Sequence, residues 1–192
     1  SFLWDLGNGA TSTISNPSSA YQSSLDRDSF YTAKVIGTSE HGCTDSLSKS
    51  IQIYPKPKSS FLMDTNAGCS PLKVHFTNQS VPYDTSTIDD MSFLWDFGNS
   101  SNSTNQNDST TYVESAFQNK NYYISLIAVS EHDCRDTTMD SVTVYPTPNA
   151  IFTPSDTMGC GPLNVSFANN SQLNDINYWD LGAGFSTSPI DT

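Results

Sequence analysis

The sequence predicts an all-β chain of tandem β-sandwich repeats, each of about 91 residues. Three observations carry that expectation. Blocks of sequence recur at one fixed spacing, apolar residues alternate with a period of two, and Pro, Gly and Asn/Ser clusters separate the alternating runs.

The recurrence comes first because it sets the phase of everything else. Trp4-Asp5-Leu6-Gly7 returns as Trp95-Asp96-Phe97-Gly98 and as Trp179-Asp180-Leu181-Gly182. Ser39-Glu40-His41-Gly42-Cys43 returns 91 residues on as Ser130-Glu131-His132-Asp133-Cys134, and Tyr54-Pro55-x-Pro57 returns at the same shift as Tyr145-Pro146-x-Pro148. The run Gly68-Cys69-x-Pro71-Leu72-x-Val74-x-Phe76 returns as Gly159-Cys160-x-Pro162-Leu163-x-Val165-x-Phe167. Residues 1–80 therefore align with 92–171 without a gap, while a shorter loop brings Trp179 to 84 residues after Trp95. The Tyr-Pro-x-Pro stretches read as linkers, because proline donates no amide hydrogen bond and disfavours helix in the residue before it. They divide the chain into the C-terminal part of one repeat (1–55), a complete repeat (56–146) and the N-terminal part of a third (147–192). That phase reads as a piece of a longer protein, and no signal peptide or membrane span is visible in it.

Alternation gives the fold class. Leu72, Val74 and Phe76 alternate with Lys73, His75 and Thr77, as Phe93, Trp95 and Phe97 do with Leu94 and Asp96. Tyr122, Ile124 and Leu126 repeat the pattern of Tyr31, Ala33 and Val35. A half-buried strand reads this way, since successive side chains point to opposite faces. Many short strands with turn signals between them mean a sandwich or barrel. Two features narrow it to an immunoglobulin-like sandwich, with strands lettered A to G. A central Trp stands on strand C (Trp4, Trp95 and Trp179), and a Tyr opens strand F (Tyr31 and Tyr122), where its hydroxyl can tie the E–F corner.

Composition limits the partners. The 192 residues carry a net charge of −12 with only 8 Lys and Arg, which argues against nucleic acid and anionic membranes, both of which require basic patches. Hydrophobic content of 35% is low, but 11% aromatics compensate because each ring buries a large area.

Phe93-Leu94-Trp95-Asp96-Phe97-Gly98 resembles the signature of PKD domains, in which Trp-Asp-Phe-Gly-Asp-Gly closes strand C. The Gly-x-x-Pro-Leu-x-Val-x-Phe run into strand B is similar as well, and the resemblance covers the whole chain. The sequence departs from the signature after the Gly, with Asn8-Gly9, Asn99-Ser100 and Ala183-Gly184 where Asp-Gly is usual. The Gly-Cys before Pro-Leu, the Cys-x-Asp of the later hairpin and the Tyr-Pro-x-Pro linkers resemble the tandem PKD arrays of very large Bacteroidota surface proteins. Those include gliding-motility adhesins exported by the type IX route. The resemblance implies a secreted protein on the outer surface of a Gram-negative bacterium.

Catalysis is not expected. His41 and His132 are one position in two copies, and His75 lies on a polar strand face; no nucleophile elbow or phosphate-cradling loop accompanies them. The cysteines, two per repeat, point to oxidation in a secreted setting. Alternating strand directions put the A–B turns (Cys69, Cys160) at one pole of a domain and the F–G turns (Cys43, Cys134) at the other, so disulfides are expected to neighbouring repeats rather than within one; four reduced thiols are the alternative. Asp84, Asp89, Asp90, Glu131 and Asp133 share one pole, where they could hold Ca²⁺ at a domain junction; an acidic solvated loop is the plainer reading. Ser46, Ser109, Thr137, Ser141 and Thr157 follow Asp in a pattern that resembles the O-glycosylation acceptor of Bacteroidota.

Two functions are weighed on these grounds. One is a non-catalytic stalk or adhesive segment of a repetitive surface adhesin or filament, whose partners are neighbouring repeats and surface polysaccharide or other secreted components. The other is an accessory PKD module of a secreted polysaccharide- or protein-degrading enzyme.

Overall fold

The computed structural model describes residues 1–24, 26–83, 87–116, 118–172, 177–181 and 185–188. Among these the only helical element is a single 3-10 turn, Ile88–Asp90. No helix among them is long and apolar enough to cross a membrane.

The first copy supplies β1 (Phe2–Asp5), β2 (Thr11–Ser12), β3 (Ser29–Thr38) and β4 (Thr44–Ile53), which form one sheet in the order β2-β1-β3-β4. The second copy supplies β5 (Phe61–Met63), β6 (Ala67–Cys69), β7 (Leu72–Asn78), β8 (Ser92–Asp96), β9 (Asn102–Ser103), β10 (Asp108–Tyr112), β11 (Lys120–Val129) and β12 (Arg135–Tyr145). These make a three-stranded sheet, β10-β7-β5, and a five-stranded sheet, β6-β12-β11-β8-β9. The third copy contributes the pairs β13 (Phe152–Pro154) with β14 (Phe167–Asn169) and β15 (Asn177–Asp180) with β16 (Phe185–Ser188). The fold is an immunoglobulin-like β-sandwich.

The residues pack into two compact units. The first holds Ser1–Leu62, Phe76–Asp108 and Ile124–Asp140; the second holds Met63–His75, Ser109–Tyr123 and Ser141–Thr192.

In the first unit the core is aromatic. Phe61 and Phe76 come from the three-stranded sheet and meet Trp95 of the five-stranded sheet at centroid separations of 5.2 and 5.7 Å. Phe97 stacks on Trp95 at 5.9 Å and lies 5.0 Å from Phe76. Trp95 is 2% exposed, and its indole N–H donates to the Asn105 carbonyl at 2.9 Å, so the ring is buried with its polar edge satisfied. Antiparallel pairing with β11 puts Leu126, fully buried, opposite Trp95. The same alignment recurs in the first copy, where Val35 faces Trp4. Trp4, Tyr31, Ala33 and Val35 are half-buried there. The Trp4 indole N–H finds no hydrogen-bond partner among the described residues.

The Trp-Asp-x-Gly signature has a local cause. Asp96 accepts the amide of Gly98 at 2.8 Å and Asp5 that of Gly7 at 2.9 Å, closing an Asx turn at the strand end. Both glycines sit at positive φ, and a Cβ on Gly7 would lie 2.4 Å from the Thr32 carbonyl oxygen. Where the usual motif continues with Asp, Asn8 and Asn99 accept the amides of Ala10 and Ser101 at 3.2 and 3.1 Å. The asparagines therefore keep the turn. Ser100 takes the left-handed conformation that glycine has at Gly9.

In the second unit Tyr112 and Tyr122 pack at 4.6 Å, both buried. The Tyr122 hydroxyl reaches the Val113 carbonyl and the Glu114 carboxylate, each at 3.4 Å. In the first unit the Tyr31 hydroxyl donates to the Gln22 carbonyl at 2.6 Å, the same nine-residue step back along the chain. Glu114 accepts the Ala116 amide at 2.8 Å and lies 3.5 Å from Lys120 Nζ. The amide hydrogen bond and then the lysine charge hold its carboxyl below the ordinary carboxylate range, against the opposing effect of burial. The third copy is shorter in strand than its alternation predicts. Leu163 and Val165 lie before β14 rather than in it.

Replacing Trp95 with Ala is expected to cost about 3–5 kcal/mol in urea denaturation of the full chain. The same change at half-buried Trp4 should cost clearly less, and equal losses would contradict this packing.

Candidate functional site at the repeat junction

The first Tyr-Pro-x-Pro stretch, residues 54–57, runs between the end of β4 and the start of β5. Pro55 and Pro57 are buried. Lys58 and Val81 exchange backbone hydrogen bonds at 2.9 Å in both directions. Ser59, 5% exposed, is held at three points. Its amide donates to the Asp136 carboxylate at 2.8 Å, its hydroxyl to the Leu126 carbonyl at 2.9 Å, and its own carbonyl accepts the Thr138 hydroxyl. A buried serine with each polar group paired is a fixed point. The backbone bridge recurs in the second unit, where Asn149 and Gln172 exchange bonds at 3.1 and 2.9 Å, one repeat beyond Lys58 and Val81, with Ala150 at the place of Ser59.

Next to that anchor Tyr54 lies against the second copy's F–G turn. Its ring stacks on His132 with centroids 3.5 Å apart and planes 21° from parallel. The turn beneath is built by Ser130, buried, whose amide donates to the Cys134 carbonyl at 2.9 Å and whose hydroxyl oxygen accepts the His132 amide at 3.3 Å. Asp133 closes it at a positive φ of 61°, where the first copy has Gly42. His132 Nε2 is also 3.5 Å from the Glu131 carboxylate. The first copy's turn has the same backbone bonds, but His41 is exposed and, among the described residues, carries no stacked ring.

The other residues singled out by sequence are distributed as follows. Cys43, Cys69 and Cys160 are exposed, Cys134 is half-buried, and all four are free thiols. Cys69 is the register partner of Tyr145 in the parallel β6–β12 pair, and the Ser70 amide donates to the Tyr145 carbonyl at 2.8 Å. Of the acidic set, Asp84 lies outside the described residues. Asp90 is engaged by the Thr87 amide and hydroxyl at 2.8 and 2.9 Å, which lower its pKa, the amide bond more than the hydroxyl. Asp89, Asp90, Glu131 and Asp133 join no group able to hold a metal ion among the described residues. Ser46, Thr137 and Thr157 are exposed, the first two on β4 and β12, whereas Ser109 and Ser141 are half-buried within β10 and β12. Trp179 is half-buried, 5.6 and 6.0 Å from Phe152 and Phe167.

An open cleft of about 820 Å³ lies in the first unit, over the outer side of β8 and β9. Leu94 and Ile127 form its apolar part; Ser103, Asn102, Asn105 and Ser125 bring amides and hydroxyls. Sequence reasoning did not identify this cleft, nor the Tyr54–His132 stack. The only signal for the stack was that both residues recur at the same 91-residue shift.

No protein-family model matches the chain, and no curated protein matches it. Among solved structures it is similar to the PKD1 domain of Vibrio anguillarum Epp, at 24% identity and a TM-score of 0.40 over 50% of this chain and 100% of that one. It is similar to the PKD1 domain from the Vibrio cholerae metalloprotease PrtV at 24% identity and 0.38, over 47% and 98%. A carbohydrate-binding module of the β-sandwich superfamily matches at 16% and 0.40, over 60% and 53%. All three scores lie below 0.5, so the fold assignment rests on the strand order and register described above.

Replacing Asp136 with Ala leaves the buried Ser59 amide unpaired and is expected to cost about 1–3 kcal/mol in urea denaturation. Tyr54→Ala should leave that stability nearly unchanged while shifting the His132 ring resonances in NMR; unmoved resonances would contradict the stack.

Proposed function

We propose that the chain is a non-catalytic stalk segment of a repetitive extracellular protein, built of PKD-type modules with limits 1–55, 56–146 and 147–192. The observation that carries this reading is the junction. A connector that only tethers two domains stays solvated, whereas here Pro55, Pro57 and Ser59 are buried in the following copy and Tyr54 stacks on its F–G turn. Such a junction sets one copy's orientation by the next, which is what a spacer requires.

The PKD assignment is supported by the Trp-Asp-x-Gly turns, whose Asp and Gly have the roles described above, and by the sandwich strand order. The finer assignment, a cell-surface adhesin of gliding motility exported by the type IX route, rests on the resemblance of the repeat style. The net charge of −12 keeps such an array soluble and apart from other anionic polymers. The partners are neighbouring copies first and surface polysaccharide second. Its cleft of amides and hydroxyls beside Leu94 and Ile127 favours, as a second reading, an accessory sugar-binding module of a secreted hydrolase.

Small-angle scattering tests the first reading. Chains with one, two and three complete copies inserted in frame should lengthen by a constant step per copy. A maximum dimension that grows only as the square root of copy number would contradict it.

A further inference from the structure

We propose that, between successive whole copies, the A–B-turn cysteine of one copy forms a disulfide with the F–G-turn cysteine of the next; this rests on the array reading above. Two observations, related by the 91-residue shift, meet at one place. On one side, Cys69 pairs with Tyr145, and register partners in a sheet project their side chains from the same face. Both are exposed, and the Ser70–Tyr145 backbone bond keeps them side by side. On the other side, Tyr54 is the equivalent of Tyr145 one copy earlier, and its ring rests on His132. Cys134 lies two residues past His132, its Sγ 3.9 Å from the His132 carbonyl oxygen. The tyrosine beside the A–B cysteine of its own copy is thus the residue that touches the F–G turn of the next.

A bond inside one copy is excluded by the strand itself. Cys134 precedes the first residue of β12 and Cys69 pairs with its last, 11 residues along. At ~3.3 Å per residue that separation is on the order of 35 Å, whereas bridged Cα atoms lie within about 7 Å. Each new bond takes two electrons and two protons from the paired thiols. A low-molecular-weight disulfide accepts them by thiol–disulfide exchange and leaves as two thiols.

The test uses the full chain lengthened by one in-frame copy of 56–146, with Cys43 and Cys160 replaced by Ser. One version keeps only Cys69 of the first complete copy and the F–G cysteine of the second. Its swapped counterpart keeps only Cys134 of the first and the A–B cysteine of the second. Treated with oxidised glutathione, then alkylated and mapped without reduction, the first version should close its disulfide on the order of tenfold or more faster, because only there does the fold hold the thiols at high effective concentration. Tyr145→Ala in the first complete copy should slow that closure, and Tyr145→Phe should restore it. Equal rates in the two versions, or free thiols in both, would overturn the clamp. Scattering from the same chains in reductant reports on the array separately. Added length without the disulfide overturns the clamp alone, whereas no added length overturns the array reading.

Discussion

The core of the first unit depends on packing two sheets over one indole. Trp95 touches Phe61 and Phe76 from the opposite sheet and Phe97 from its own strand end, and its N–H reaches a backbone carbonyl instead of water. A chain with 35% hydrophobic residues cannot build a thick aliphatic core, so it concentrates burial in a few large rings. The two other copies show the dependence by contrast. Trp4 and Trp179 sit in the same signature, yet they are half-buried. Residue type alone does not bury the ring; the facing sheet does.

That closure places the ends of the strands, and the strand ends carry the junction. Once β11 and β12 are fixed by the core, Leu126, Asp136 and Thr138 present a carbonyl, a carboxylate and a hydroxyl to one residue, Ser59. The segment before Ser59 then has little freedom. Its prolines fix φ, their rings are buried, and the Tyr54 ring meets His132. The Lys58–Val81 bridge recurs as Asn149–Gln172, but there Pro146 is half-buried, Pro148 is exposed and Ala150 stands where Ser59 does, so the buried anchor belongs to the first boundary.

Much of the fold could be read from sequence because burial in a sheet leaves a period-two trace. Val74 and Phe76 against Lys73 and His75, and Trp95 against Leu94 and Asp96, gave the inward faces correctly. The Trp-Asp-x-Gly repeats marked the turns, since only an Asx side chain and a positive-φ residue make them. The junction was harder. Proline patterns announce an extended segment but not whether it is solvated: Pro55 and Pro57 are buried, whereas Pro146 is half-buried and Pro148 exposed. Ser59 and Asp136 are ordinary residues in a chain rich in both, and nothing local marks them as a pair 77 residues apart. Within the acidic set, nothing local in the sequence marks that the Thr87 amide and hydroxyl engage Asp90.

A fixed junction between the first two copies is the central claim, and residual dipolar couplings measure it directly in the full chain. Amides of β3 and β4 report the first copy; those of β8 and of residues 124–140 report the second. A rigid junction requires that one alignment tensor fit both sets in the native chain. Two tensors of different magnitude or orientation, each fitting its own copy well, would show that the copies move independently and would contradict the stalk reading.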